Sequence, residues 1–146
     1  MKYIIFFTTV IIAVVVMLFV FNTKSKSYIV INDKSFKIDV AITNSQKSKG
    51  LAKYEKIPND FGMLFLMGKS DYYTFWMKDM KFAIDIIYID DNKIVDIFEN
   101  VEKPNSKSET PRSVKSRFVS NKIFEINSGL SKKYGFKKGD SVKIIY

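Results

Sequence analysis

The sequence predicts a mainly β domain with a minor α component: a compact, largely antiparallel β-barrel or curved sandwich with two short helices, preceded by one N-terminal transmembrane helix. Residues 36–42 alternate apolar and polar side chains, the pattern of a strand with one buried face. Most connections between the strand-like segments are too short for the crossovers that parallel strands require. Residues 3–21 form an apolar run without charge, proline or glycine.

The apolar run is long enough to cross a membrane once. At about 1.5 Å per residue it just spans a hydrocarbon core of about 30 Å. Bulky residues close the run, whereas a cleavable signal peptide ends in small ones. We therefore predict an uncleaved signal anchor over residues 1–22 in the cytoplasmic membrane, with a cleaved signal as the alternative. Flanking lysines do not fix the orientation. A short N-terminal tail stays inside easily, which places the C-terminal domain outside the cytoplasm, periplasmic or at the cell surface.

Composition excludes several kinds of site. The chain has no cysteine and no histidine, so a disulfide framework, a thiol nucleophile and a histidine-based triad or metal site are impossible. We expect no metal and no cofactor. The formal net charge of +9 favours anionic partners in the envelope, but a lysine-rich composition on solvated faces is the simpler explanation and the one we prefer. No nucleic-acid-binding motif is present, so we expect no nucleic acid partner.

The first part of the chain divides into a linker and the start of the globular domain. Residues 23–35 are a polar linker and a first strand at 28–31, and the globular domain covers residues 36–146. Turn residues at 32–34 join the first strand to the strand at 36–42 as a hairpin. Thr43 or Asn44 caps a short helix over residues 45–51.

The remaining elements follow from their patterns. Strands are predicted at 61–67, 72–78, 84–89, 94–101 and 141–146, with another inside 117–126 that includes IFEI, and a second helix at 129–134. The run at 61–67 is apolar on both faces, which is typical of a central strand. Acidic and amide residues at 90–93 make a tight hairpin turn. Asn127 or Ser128 caps the second helix, Gly135 ends it, and residues 102–116 form a polar loop.

Three charged residues stand among large apolar side chains in the strand-like segments: Lys78, Asp85 and Glu99. A buried charge is costly unless it is paired, so one interpretation is a structural ion pair between Lys78 and either acid. The other is a polar patch at a pocket mouth. In that patch Lys78 contacts an anion, Asp85 accepts hydrogen bonds, and Trp76, Asp79 and Glu99 complete the ligand-binding set. Asp85 and Glu99 are the candidates for catalysis.

Aromatic residues surround Trp76, and Phe75 and the tyrosines at 72 and 73 could stack on a ring or sugar. Such clusters are more often core, and that is our expectation here. Strand alternation puts Trp76 and Lys78 on one face, with Phe75 and Met77 on the other.

Several motifs occur together and in order: GMLF at 62–65, FWMK at 75–78, AIDIIYID at 83–90 and a closing Gly-Asp element within 134–144. Over about residues 36–145 the chain resembles domain-of-unknown-function family 192. Asp79 stands where that family usually has Asn, and Ala83 where it usually has Pro. The resemblance implies a small β-rich domain, commonly exported or membrane-tethered in prokaryotes, with no established activity.

These observations leave three functional hypotheses. The first is a membrane-anchored extracytoplasmic domain that binds an anionic envelope ligand or an envelope protein without catalysis. The second is a small envelope enzyme, hydrolase-like, that uses Asp85 or Glu99 with Lys78. The third is a purely structural accessory module.

Overall fold

The computed structural model describes residues 27–106 and 108–146. The membrane span predicted at residues 3–21 lies outside the described residues. Inside them, no helix is both long enough and apolar enough to cross a bilayer.

The described chain contains nine strands and two short helices, which confirms the mainly β class. The strands are β1 (Tyr28–Ile31), β2 (Lys34–Ala41), β3 (Phe61–Asp71), β4 (Thr74–Trp76), β5 (Ile84–Asp90), β6 (Lys93–Val101), β7 (Ser113–Lys115), β8 (Ser120–Asn127) and β9 (Val142–Ile145). The helices are α1 (Asn44–Lys49), which continues as a 3-10 turn (Gly50–Lys53), and α2 (Leu130–Tyr134). Thr43 caps α1 as predicted, in a reciprocal pair with Gln46.

Seven strands form one sheet in the order β6-β5-β8-β3-β2-β1-β9. All neighbouring pairs are antiparallel except β2 and β3, which run parallel. The parallel pair is possible because residues 42–60 form a crossover long enough to hold α1 and the 3-10 turn. The largely antiparallel sheet is therefore confirmed.

The sheet curls until its two edges meet at one end. A bridge joins Lys93, at the start of β6, to Ser141, just before β9. The amide of Ile94 donates to the carbonyl of Asp140 at 3.0 Å, and the amide of Val142 donates to the carbonyl of Asn92 at 2.9 Å. Because the edges are in contact at one end only, the sheet is a half-barrel rather than a closed barrel.

Both faces of the sheet carry apolar side chains. Inside the curl lies a core centred on Phe36, Leu64, Ile87 and Phe124, all nearly inaccessible to solvent. The opposite face carries a second core that includes Phe65, Ile86 and Tyr88. Leu51 of the 3-10 turn and Met77 pack into that second core, and Phe75 and Val114 of a separate ribbon of β4 and β7 pack against it.

Two sequence-based assignments in this region are wrong. The strand expected at 72–78 is only three residues long, and it leaves the main sheet to pair with β7, which lies inside the stretch predicted as a loop. The strand predicted at 61–67 continues to Asp71 as β3, and its register with β8 shifts between Leu66 and Asp71. Gly68 takes a φ of +83° within that irregular stretch, which is how glycine marks a bulge.

Gly62 leaves no room for a side chain against β8, and we expect Gly62→Ala to destabilise the fold by about 2 kcal/mol through overpacking. A Cβ at position 62 would be 2.5 Å from the Glu125 carbonyl oxygen and 2.5 Å from the Phe124 ring. Urea unfolding measures the change. Gly68→Ala is a useful comparison, because a Cβ there meets nothing within 4 Å and only the positive φ opposes it.

Candidate functional site

Asp85 is completely buried, and its carboxylate binds three backbone amides. Oδ1 accepts from Asn100 at 2.9 Å and from Gly129 at 3.0 Å, while Oδ2 accepts from Ser131 at 2.8 Å. The amides of Gly129, the N-cap, and Ser131, in the first turn, lie at the start of α2, where amides lack partners within the helix. Asp85 therefore joins β5 to β6 and to α2.

This contact replaces the helix cap expected from the sequence. The N-cap residue of α2 is Gly129, which has no side-chain cap, rather than Asn127 or Ser128. An acidic side chain at a helix start stabilises the exposed amides, and here it comes from a strand more than forty residues earlier.

The structure does not bring Lys78, Asp85 and Glu99 together. Among the described residues, Lys78 forms no ion pair with either acid. Glu99 is exposed on β6 and lines a shallow surface cavity with Arg112 and Arg117. The predicted structural ion pair is therefore wrong: burial of Asp85 is compensated by backbone amides, and the other two side chains remain in contact with solvent.

Trp76 and Lys78 form a pair at the surface. The Nζ of Lys78 lies 5.4 Å from the centre of the Trp76 ring, a cation–π distance. Trp76 is 55% exposed, whereas Met77 between them is buried, so the predicted alternation is confirmed. The expectation that Trp76 belongs to the core is wrong, because β4 is an outer ribbon whose outward face meets solvent.

A cavity of about 180 Å³ opens beside this pair. Its apolar wall comes from the second core and the 3-10 turn: Leu51, Ala52, Phe65, Met67, Phe75 and Met80. Its polar lining includes Lys47 and Lys49 of α1, Lys78 and Glu125. The cavity thus combines an apolar wall, an exposed indole and several cations.

A wider depression of about 860 Å³ adjoins this cavity and shares Trp76, Lys78 and Met80 with it. Its other side is formed by the loop after β6, including Pro104 and Pro111. Asp79, exposed and with a φ of +59°, lines this depression. Three of the predicted ligand-binding residues, Trp76, Lys78 and Asp79, therefore lie together, while Asp85 and Glu99 line neither space.

Glu125 is the unexpected member of the cavity. It lies on β8, is 5% exposed, and its Oε2 receives no hydrogen bond from the part of the chain that the structure describes. Burial without a partner raises the pKa of Glu125 to about 8. Carboxyl groups with strongly raised pKa values are common at functional sites, where an uncharged acid is available near neutral pH.

Sequence reasoning did not select Glu125, although one signal was present. The residue interrupts an apolar run in a strand that becomes central in the sheet, where both faces are buried. Asp96 gave the same signal and has a different role. It accepts from the backbone amide of Arg117 at 2.9 Å and from its Nε at 3.1 Å. Burial would raise the pKa of Asp96, but the hydrogen bonds from Arg117 outweigh burial and lower it.

Comparison with known proteins gives one family. The sequence model of DUF192, described as "Uncharacterized ACR", matches residues 27–144. No curated protein matches the chain.

Two crystal structures have similar folds. One, from Sinorhizobium meliloti 1021, is described as "a putative transcription regulator"; it is 26% identical, with a TM-score of 0.70 over 81% of this chain and 91% of that one. The other, a protein of unknown function from Novosphingobium aromaticivorans DSM 12444, is 29% identical, with a TM-score of 0.69 over 81% of this chain and 83% of that one.

Proposed function

We propose that this chain, which belongs to the DUF192 family of uncharacterised proteins, is a membrane-anchored domain that binds a small anionic ligand of the cell envelope without catalysis. Residues 3–21 would hold it in the cytoplasmic membrane, with the domain outside the cytoplasm. The ligand site is the cavity beside Trp76 and Lys78.

The observation that carries this proposal is the exposed Trp76–Lys78 pair at an apolar cavity. Large aromatic side chains are mostly buried in a protein of this size. The indole of Trp76 is about half exposed beside a cavity, so it provides a surface on which a ligand ring can stack. Three lysines, at positions 47, 49 and 78, line the same cavity and favour a negative charge on that ligand.

The side chains that the enzyme alternative requires do not lie together in the fold. It requires Lys78 with Asp85 or Glu99, but Asp85 has both oxygens occupied by amides and is closed off from solvent. Glu99 lines a different surface cavity. Binding without turnover is therefore the better supported proposal.

Trp76 makes the proposal directly measurable, because it is the only tryptophan in the chain. We expect N-acetylmuramic acid or glucuronic acid, both anionic sugars, to change its fluorescence saturably in the full-length protein. The neutral sugar N-acetylglucosamine should bind less tightly. Lys78→Met should weaken binding of the anionic sugars about tenfold and change the free energy of unfolding by less than about 0.5 kcal/mol, since Lys78 is exposed.

Lys133→Met is the matched control. Its Nζ also lies over an aromatic ring, 5.6 Å from the centre of Tyr134, but on α2, away from the cavity. We expect it to bind the sugars like the wild type. No fluorescence response to any anionic sugar would contradict ligand binding and favour the purely structural module. A large loss of stability in Lys78→Met would contradict the surface role of that lysine.

A further inference from the structure

Glu125 places a carboxyl group against the apolar wall of the cavity, where packing alone does not require a polar side chain. Its carboxyl lines the space, yet Oε2 has no hydrogen-bond donor among the residues described. Unpaired buried polar atoms are rare in native proteins, and a bound molecule is a common reason for one. An apolar residue would fill the same position on β8 without that cost.

Within residues 27–106 and 108–146, the surroundings of Glu125 supply no hydrogen-bond or ion-pair partner for its Oε2. Its neighbours across the strands are Met63 on β3 and Ile86 on β5. The titratable groups facing it are Tyr88 on β5 and the three lysines of the cavity, at 47, 49 and 78. Tyr88 donates its hydroxyl to the Val114 carbonyl at 3.1 Å, and none of those lysines forms an ion pair with Glu125 in the described chain.

The main chain leaves room beside the carboxyl. Gly50 has a φ of +48° and a ψ of −146°, a conformation that suits glycine almost alone. A Cβ at position 50 would lie 3.5 Å from the Phe65 ring and 4.0 Å from Oε2 of Glu125. A side chain at position 50 would therefore extend toward the Glu125 carboxyl and occupy part of the cavity.

We propose that the carboxyl group of Glu125 hydrogen-bonds an amide group of the ligand inside the cavity beside Trp76. This inference rests on the proposed function and names its ligand class: an anionic sugar that carries an acetamido group.

An amide fits the carboxyl for a chemical reason. A protonated carboxyl presents an O–H donor beside a carbonyl acceptor, and an amide presents an acceptor and a donor at matching spacing. The pair thus makes two hydrogen bonds, whereas a sugar hydroxyl satisfies one carboxyl oxygen at a time. A ligand ammonium is disfavoured because the carboxyl is uncharged and lysines surround the cavity.

The test compares two substitutions of Glu125 in the full-length chain, with N-acetylmuramic acid as the probe and Trp76 fluorescence as the readout. Glu125→Gln preserves a donor and an acceptor and should bind within about threefold of the wild type. Glu125→Leu removes both and should bind at least about tenfold less tightly. Circular dichroism shows whether each variant is folded.

The pH dependence of ligand affinity distinguishes a ligand contact from a purely structural role, because a structural role of Glu125 would leave that dependence unchanged. Since burial raises the pKa of Glu125 to about 8, wild-type affinity should fall about tenfold between pH 6 and pH 9 as the carboxyl ionises. Glu125→Gln should change less than about twofold over that range. The other groups that line the cavity are the same in both proteins, so any contribution from them to the pH profile is common to both.

The two proposals fail in different ways. If the anionic sugars do not bind the wild type, the proposed function is wrong, and this inference with it. If they bind in a Lys78-dependent way and Glu125→Leu binds equally well, only the role of Glu125 is wrong. If glucuronic acid, which lacks the amide, depends on Glu125 as strongly as N-acetylmuramic acid does, the amide assignment is overturned.

Discussion

Asp85→Ala should lower the free energy of unfolding by about 4 kcal/mol, because three backbone amides lose a charged acceptor at once. Each hydrogen bond to a buried charge contributes about 1.5–3 kcal/mol, and bonds to one carboxylate are not additive. The fold then loses the connection between β5, β6 and the start of α2. Urea unfolding followed by circular dichroism gives the value.

Two further substitutions separate this structural role from the catalytic one. Asp85→Asn keeps one acceptor oxygen but turns an amide group toward a backbone donor, so it should lose roughly half as much stability. Glu99→Gln changes an exposed acid on the neighbouring strand and should stay within about 0.5 kcal/mol of the wild type. An Asp85→Ala protein as stable as the wild type would show that the carboxylate does not hold these elements together.

Glu125→Gln should raise the free energy of unfolding by about 3 kcal/mol at pH 7. Burial keeps the Glu125 carboxyl protonated in the folded protein, whereas the unfolded chain ionises it at that pH, and this difference opposes folding. The pKa of Glu125 in the folded protein is about 8, whereas the ordinary value for a glutamate is 4.5, so the folded state binds the extra proton. The free energy of unfolding of the wild type is therefore highest, as far as Glu125 affects it, below pH 4.5. It falls by about 1.4 kcal/mol per pH unit above that, until the pH passes the folded pKa of Glu125.

The check is the pH dependence of unfolding in both proteins. Wild type and Glu125→Gln should have the same stability near pH 4, because an uncharged acid and an amide are then equivalent. The curves should diverge as pH rises and become parallel above about pH 8. Parallel curves from pH 4 to 9 would mean that Glu125 is solvated or paired in the native protein. A residue that reduces stability at neutral pH is a good candidate for function rather than architecture.

Local sequence was sufficient for much of the β structure. Alternation identified β2, turn residues identified the hairpins at 32–33 and 91–92, and Thr43 identified the start of α1. The same period placed Trp76, the last residue of β4, on the same side of the chain as Lys78, two residues beyond it. Each of these signals acts between residues a few positions apart, so the sequence displays it directly.

Tertiary structure decided the rest, because the relevant contacts join residues that are distant in the chain. Asp85 is satisfied by amides up to 46 positions away, which no local pattern shows, and its apolar neighbours made it resemble an isolated charge. Glu125 became a cavity residue only when β8 took a central place and Gly50 packed beside it. Sequence alone determined a basic, cysteine-free and histidine-free β domain that shares its motifs with DUF192. The packing of β4 and α1 over the outer face decided where that domain has its cavity, since a cavity exists only between elements that the chain brings together.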